Sequence, residues 1–195
     1  PACSPVLVIA GQSPTHWIGR EAFEEFDLVA MFRPVTKYAF QAQRAATFPE
    51  VLRRTFWKAS SGPPGPALLS VPADLFREEI EAVPSLSALP VPPRPRPDAS
   101  TINRTLKLLL EARCPVMLLG GGINISGAAA EAVSLAERLG LTVVPSSEPD
   151  VFPTTHPLFV NDRRVVKEAD VVLAVGCRFS ELGTFGWTML PPKAR

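Results

Sequence analysis

The sequence predicts an α/β protein built from two parallel-sheet units in series, and three observations predict it. Pro5-Val-Leu-Val-Ile-Ala-Gly-Gln-Ser-Pro14 is an apolar run that ends in a glycine turn. Pro115-Val-Met-Leu-Leu-Gly-Gly-Gly122 repeats that design about a hundred residues later. Amphipathic helical stretches alternate with the apolar runs, the order expected of parallel strands joined by crossover helices.

Residues 5–10 read as a strand covered on both faces, ended by Gly11. Gly19 to Phe26 is a short helical candidate, with Ala22, Phe23 and Phe26 on one side and Glu21, Glu24 and Glu25 on the other. Residues 29–40 carry no clear period. Thr47-Phe-Pro-Glu50 has capping-box form and opens a helix whose apolar face is Phe48, Val51, Leu52, Thr55, Phe56 and Ala59. Ser60-Ser-Gly-Pro-Pro-Gly-Pro66 ends that helix, because Gly62 tolerates positive φ and prolines cannot continue the ladder. Ala67 to Val71 is the next strand. From Arg77 to Pro97 the pattern dissolves into proline and serine, the composition of a semi-rigid extended linker.

The second unit opens with a helix over 101–112 whose Ile102, Leu106, Leu109 and Leu110 share one face. Strand 115–119, helix 127–139, strand 141–144, a short helix near 163–168 and strand 171–175 follow, a βαβαβ order.

The chain has 195 residues, 46% of them hydrophobic, enough for a sizeable core. A net charge of +1 gives no concentrated field for a polyanion or a membrane surface, which argues against nucleic-acid and membrane partners. The apolar runs are about half the roughly 20 residues of a spanning helix, and no signal peptide opens the sequence, so a cytoplasmic location is expected. Cys3, Cys114 and Cys177 are odd in number and widely spaced, the pattern of reduced thiols rather than of a metal or redox motif. Pro1-Ala-Cys-Ser4 runs straight into a strand without an initiator Met, and Pro191 to Arg195 stops soon after another. An internal piece of a larger protein is expected.

Several residues are placed for chemistry. Gly120, Gly121 and Gly122 sit where a strand hands over to a helix, and two readings stay open: amides that receive a nucleotide phosphate, or glycines needed for a tight turn and close packing. The dinucleotide fingerprint is only partly met, because its third glycine would fall at Ile125 and no acid ends the next strand. Arg178, after the last strand, could pair with a phosphate or form an ordinary salt bridge with Glu181. Ser146, Ser147 and His156 could line the same crevice. In the first unit, Gln12 could offer an amide to a polar ligand. Lys37 is a cation in a mostly apolar stretch, or a surface lysine beside a turn.

Ile9-Ala-Gly-Gln-Ser-Pro14, Ile18-Gly-Arg-Glu-Ala-Phe-Glu-Glu25, Arg33-Pro-Val-Thr-Lys37, Ser61-Gly-Pro-Pro-Gly-Pro66 and Val71-Pro-Ala-Asp74 together resemble the pattern of acetolactate synthase large subunits. Ala169-Asp-Val-Val-Leu-Ala-Val-Gly-Cys-Arg-Phe179, with the triple-glycine turn, resembles the central domain of the same thiamine-diphosphate-dependent superfamily. The resemblance implies that residues 1–75 are the rear half of a pyrimidine-binding domain, 76–98 a linker, and 99–195 part of a Rossmann-like central domain, both domains being incomplete.

It also implies an activity. A thiazolium carbanion attacks pyruvate, carbon dioxide leaves, and the two-carbon unit joins a second 2-oxo acid. Thiamine diphosphate and magnesium are the implied cofactors, held mostly outside these residues, so the piece alone is expected to be inactive. By resemblance Gln12 lies near the thiamine pocket and Lys37 near the channel of the second substrate, while Gly120 to Gly122 and Arg178 face FAD or another adenine nucleotide. Three departures weigh against FAD: Pro63 in place of an arginine, Tyr38 in place of a histidine, and Ser180-Glu181 in place of two aspartates. A homodimer or homotetramer is implied for the parent. A related 2-oxo acid decarboxylase or acetyltransferase, or a non-catalytic adenine-nucleotide-binding module, is the alternative.

Overall fold

The computed structural model describes residues 3–80, 95–147 and 149–192. The chain divides into two compact units at residues 95 and 96. The predicted linker falls mostly on 81–94, outside the described residues.

The first unit holds strands β1 (Leu7–Gln12), β2 (Tyr38–Gln41) and β3 (Ala67–Pro72) and helices α1 (Leu28–Phe32) and α2 (Phe48–Ser60). Its sheet is all parallel in the order β1-β3-β2, with Leu7 and Tyr38 both level with Ala67. The central strand β3 is buried along its whole length, as an Ala-Leu-Leu-Ser-Val-Pro run flanked on both sides should be. Leu69 and Val71 point to one face, where they meet Val51 of α2 together with Phe48 and Leu52. That helix forms where the apolar spacing places it. β1 is an edge strand, and Ile9 on it is 53% exposed.

Three local expectations are corrected here. Gly19 to Phe26 is not a helix, because Glu21 and Glu24 both take φ of +59°. Eight residues carry too little hydrogen bonding to nucleate a helix alone, and the Glu25 carboxylate offers the amides of Gly19 and Ala22 a competing acceptor. Residues 29–40, read as irregular, contain α1, a 3-10 turn at Arg33–Val35 and β2. Thr47 does not cap α2: its backbone is already helical and its hydroxyl donates to the Arg44 carbonyl at 3.1 Å.

The second unit holds α3 (Ala99–Glu111), β4 (Pro115–Leu119), α4 (Gly122–Ser126), α5 (Ala129–Leu139), β5 (Thr142–Pro145), β6 (Val171–Val175) and α6 (Glu181–Thr184). Its sheet is parallel in the order β5-β4-β6, with Leu119 level with Pro145 and Val175. Alternate residues of β4 feed two cores. Met117 and Leu119 pack with Ile123, Ala132, Ala136 and Val143, and Val116 and Leu118 with Val144, Val166 and Met189. The helix predicted over 127–139 begins at Ala129, because Gly127 at φ +66° closes a separate short turn of helix first. Asp98 caps α3 by accepting from the Thr101 amide at 2.9 Å. Of the face predicted for that helix only Leu109 is buried, while Ile102, Leu106 and Leu110 are exposed.

Asp170 clips the start of β4 to the start of β6. Its carboxylate accepts from the amides of Arg113 at 2.7 Å and Cys114 at 3.0 Å, and those two bonds, the Arg113 amide first, hold it below the usual carboxylate range.

Candidate functional site

Parallel sheets present their ligand-binding loops at the carboxyl ends of the strands, and each unit has one such edge. In the first unit it carries Gln12 at the end of β1, Ser13 just after it, and Asp74 after β3. Gln12 is buried, and its carboxamide is spent on the chain: the NH2 donates to the Phe26 carbonyl and the oxygen accepts from the Ser13 amide at 2.8 Å. Ser13 adds a bond from its hydroxyl to the Phe23 carbonyl at 2.9 Å. Together they fold residues 13–27 back over the strand end and leave Phe23 88% exposed.

Asp74 is the residue that sequence reasoning left without a role. One carboxylate oxygen accepts from the Thr15 amide at 3.0 Å and the other from the Thr15 hydroxyl, with His16 3.9 Å away. Burial pushes the carboxyl up, but the Thr15 hydroxyl and amide and the nearby His16 outweigh it and hold the group below its ordinary range. Its signal was Val71-Pro-Ala-Asp74, visible as a pattern but silent about the partner.

Lys37 does not join this edge. It precedes β2, and its amide donates to Pro66 ahead of β3, so it stands at the amino end of the sheet. Six strand residues, roughly 20 Å at about 3.3 Å per residue, separate its level from that of Gln12. Its ammonium donates to the Ser61 carbonyl at 2.6 Å, at the C-cap of α2, where a cation meets the negative end of the helix. Its stem lies against Gly65, where an added Cβ would come 2.7 Å from the Lys37 Cδ.

In the second unit the carboxyl edge gathers Gly120 to Gly122, Ser146 and Ser147, and Gly176 to Arg178, as the strand order predicts. The glycine turn is locked into the neighbouring turn. Gly120 donates to the Val175 carbonyl and Gly122 to the Gly176 carbonyl, each at 3.0 Å. A Cβ on Gly120 would sit 2.5 Å from the Gly176 oxygen, and one on Gly122 2.6 Å from the Gly176 Cα. Arg178 follows this turn and is exposed.

His156 is a correction. Phe159 bridges in parallel to Val143, which puts His156 at the opposite end of the sheet. There its Nε2 lies 3.3 Å from Glu137 and its Nδ1 accepts from the Leu158 amide at 3.2 Å. The group that does close the carboxyl edge is Arg163. Its guanidinium donates to the carbonyls of Ser146 at 2.6 Å and Leu182 at 2.8 Å and lies 4.2 Å over the Phe185 ring. Nothing in the spacing of Asp162-Arg-Arg-Val165 marked it.

Residues 102–195 match the family description "Thiamine pyrophosphate enzyme, central domain". The chain belongs to the thiamine pyrophosphate enzymes. It is 35% identical over 98% of its length to the "Probable acetolactate synthase large subunit" of Methanocaldococcus jannaschii, and 32% identical over 97% to acetolactate synthase isozyme 3 large subunit of Escherichia coli. It is also 34% identical over 98% to a sulfoacetaldehyde acetyltransferase of Rhodobacter capsulatus. The chain spans about a third of the length of these curated relatives: 35%, 36% and 34% respectively. Among the described residues of this thiamine pyrophosphate enzyme chain, no helix is long and apolar enough to cross a membrane.

Proposed function

We propose that this chain is part of a thiamine-diphosphate-dependent carboligase of acetolactate synthase type, which decarboxylates pyruvate and joins the two-carbon unit to a second 2-oxo acid. The observation that carries the reading is the relationship to acetolactate synthase large subunits across both units at once, over 97–98% of the chain. Thiamine diphosphate, when bound, supplies the nucleophile and electron sink for decarboxylation.

The chain supplies walls in this reading. Gln12, Ser13 and the Thr15–Asp74 pair fix the loop at the carboxyl edge of the first sheet, against which the thiamine pocket lies. Lys37, anchored on Ser61, stands on the side from which the second substrate arrives. Arg178 faces the ligand crevice of the second unit. The residues that activate the cofactor and hold its magnesium and diphosphate are assigned to other parts of the complete protein, so these 195 residues alone are silent. The complete protein is a cytoplasmic homodimer or homotetramer.

The 34% identity to a sulfoacetaldehyde acetyltransferase favours a second reading, a two-carbon transfer from another substrate. The test is to give the purified complete protein, with thiamine diphosphate and magnesium, either pyruvate or sulfoacetaldehyde, the latter with inorganic phosphate present as a nucleophile to accept the two-carbon unit. Consumption of pyruvate with acetolactate as product supports the first reading. Turnover of sulfoacetaldehyde alone replaces it with the second, and turnover of neither overturns both.

A further inference from the structure

The resemblance assigns the triple-glycine turn to FAD or another adenine nucleotide, and the geometry of the turn disagrees. A diphosphate cradle works by aiming successive unspent backbone amides at the anion. Here five of the six amides over residues 120–125 are spent, and that of Gly121, the one left over, is a single donor rather than a succession. Gly120 and Gly122 donate to Val175 and Gly176, and the next three amides, those of Ile123, Asn124 and Ile125, close on the carbonyls of Gly120 and Gly121 at 3.0–3.2 Å. The helix behind the turn adds little field, since α4 has five residues and stops at Gly127.

The glycines have a different task. Gly120, Gly122 and Gly176 meet backbone to backbone, and a Cβ on any of the three would fall within 2.7 Å of main-chain atoms that no side-chain rotation can move. Gly176 needs its own freedom as well, at φ +64°. The ends of β4 and β6 are thereby fastened at the point where an open parallel sheet ordinarily parts to admit a ligand.

We infer that Gly120, Gly122 and Gly176 form a backbone interlock and that this turn provides no diphosphate cradle. The inference concerns the second unit's own backbone and stands apart from the thiamine reading, which is tested by turnover.

Backbone amide resonances read it directly. The isotopically labelled chain is titrated with ADP and then with FAD to millimolar concentration, after hydrogen exchange has been followed in the apo protein. The expected result is that the Gly120, Gly121 and Gly122 cross-peaks do not move and that the bonded amides of Gly120 and Gly122 are protected like those of the core strands. Saturable shifts confined to residues outside 120–125 agree with the inference, since they place a ligand on other groups. A saturable shift of any amide cross-peak over residues 120–125, that of Gly121 included, or rapid exchange of the Gly120 and Gly122 amides in the apo chain, overturns it.

Discussion

Thr15 and Asp74 stand 59 residues apart in sequence and join the carboxyl ends of two neighbouring parallel strands, with both oxygens of one carboxylate taken by one threonine. This is the tertiary tie that fixes the loop after β1 at its outer end, while Gln12 and Ser13 fix it from beneath. Asp74→Ala is expected to cost about 1 kcal/mol, below the usual range for hydrogen bonds to a charged acceptor because the site is open to water. The loss should appear as a lower denaturant midpoint with unchanged m. Thr15→Val, which removes only the hydroxyl, should cost less.

Arg163 makes a sharper prediction. One guanidinium serves two carbonyls and an aromatic face, which a lysine ammonium cannot reproduce. Arg163→Ala should lose about 2 kcal/mol, and Arg163→Lys should recover only part of it. Hydrogen exchange over residues 181–187 should quicken in both variants, while the strands stay protected.

Ser70 predicts a gain. Its hydroxyl is fully buried in the middle of β3 and lacks a hydrogen-bond partner. Ser70→Ala removes an unsatisfied polar group at little cost in packing and should raise stability by about 1 kcal/mol. A thermal scan with a higher midpoint is the expected result.

Asp170 sets an acid limb. The Arg113 and Cys114 amides depress its folded-state pKa below the unfolded value, so its contribution to stability is complete above the unfolded value and is lost as pH falls toward the folded one. Urea midpoints measured down the acid range should fall more steeply for the native chain than for Asp170→Asn, which has no charge to lose at this position.

Much of the fold was legible because the strands are simple. Leu7 to Gln12, Ala67 to Pro72, Pro115 to Leu119 and Val171 to Val175 are apolar runs ended by glycine or proline, and their parallel pairing follows from the helices between them. What failed was local and polar. The amphipathic look of Gly19 to Phe26 could not reveal that Glu25 would capture two amides, and the Thr47–Glu50 spacing could not show that Thr47 already lies in a helical turn. The site was legible by position and hidden in its partners. Strand ends located Gln12 and Gly120 to Gly122, but only the fold shows the Gln12 carboxamide and the Gly120 and Gly122 amides turned onto the chain, Lys37 at the opposite edge, and Arg163 and Asp74 as groups that hold each edge together.

Release of carbon dioxide from carboxyl-labelled pyruvate, measured with and without added thiamine diphosphate and magnesium, tests the acetolactate-synthase-type reading most directly. The complete protein should release label only when the cofactor is present, and the 195-residue chain should release none under either condition. Cofactor-dependent release by the isolated chain, or no release by the complete protein with the cofactor saturating, would contradict it.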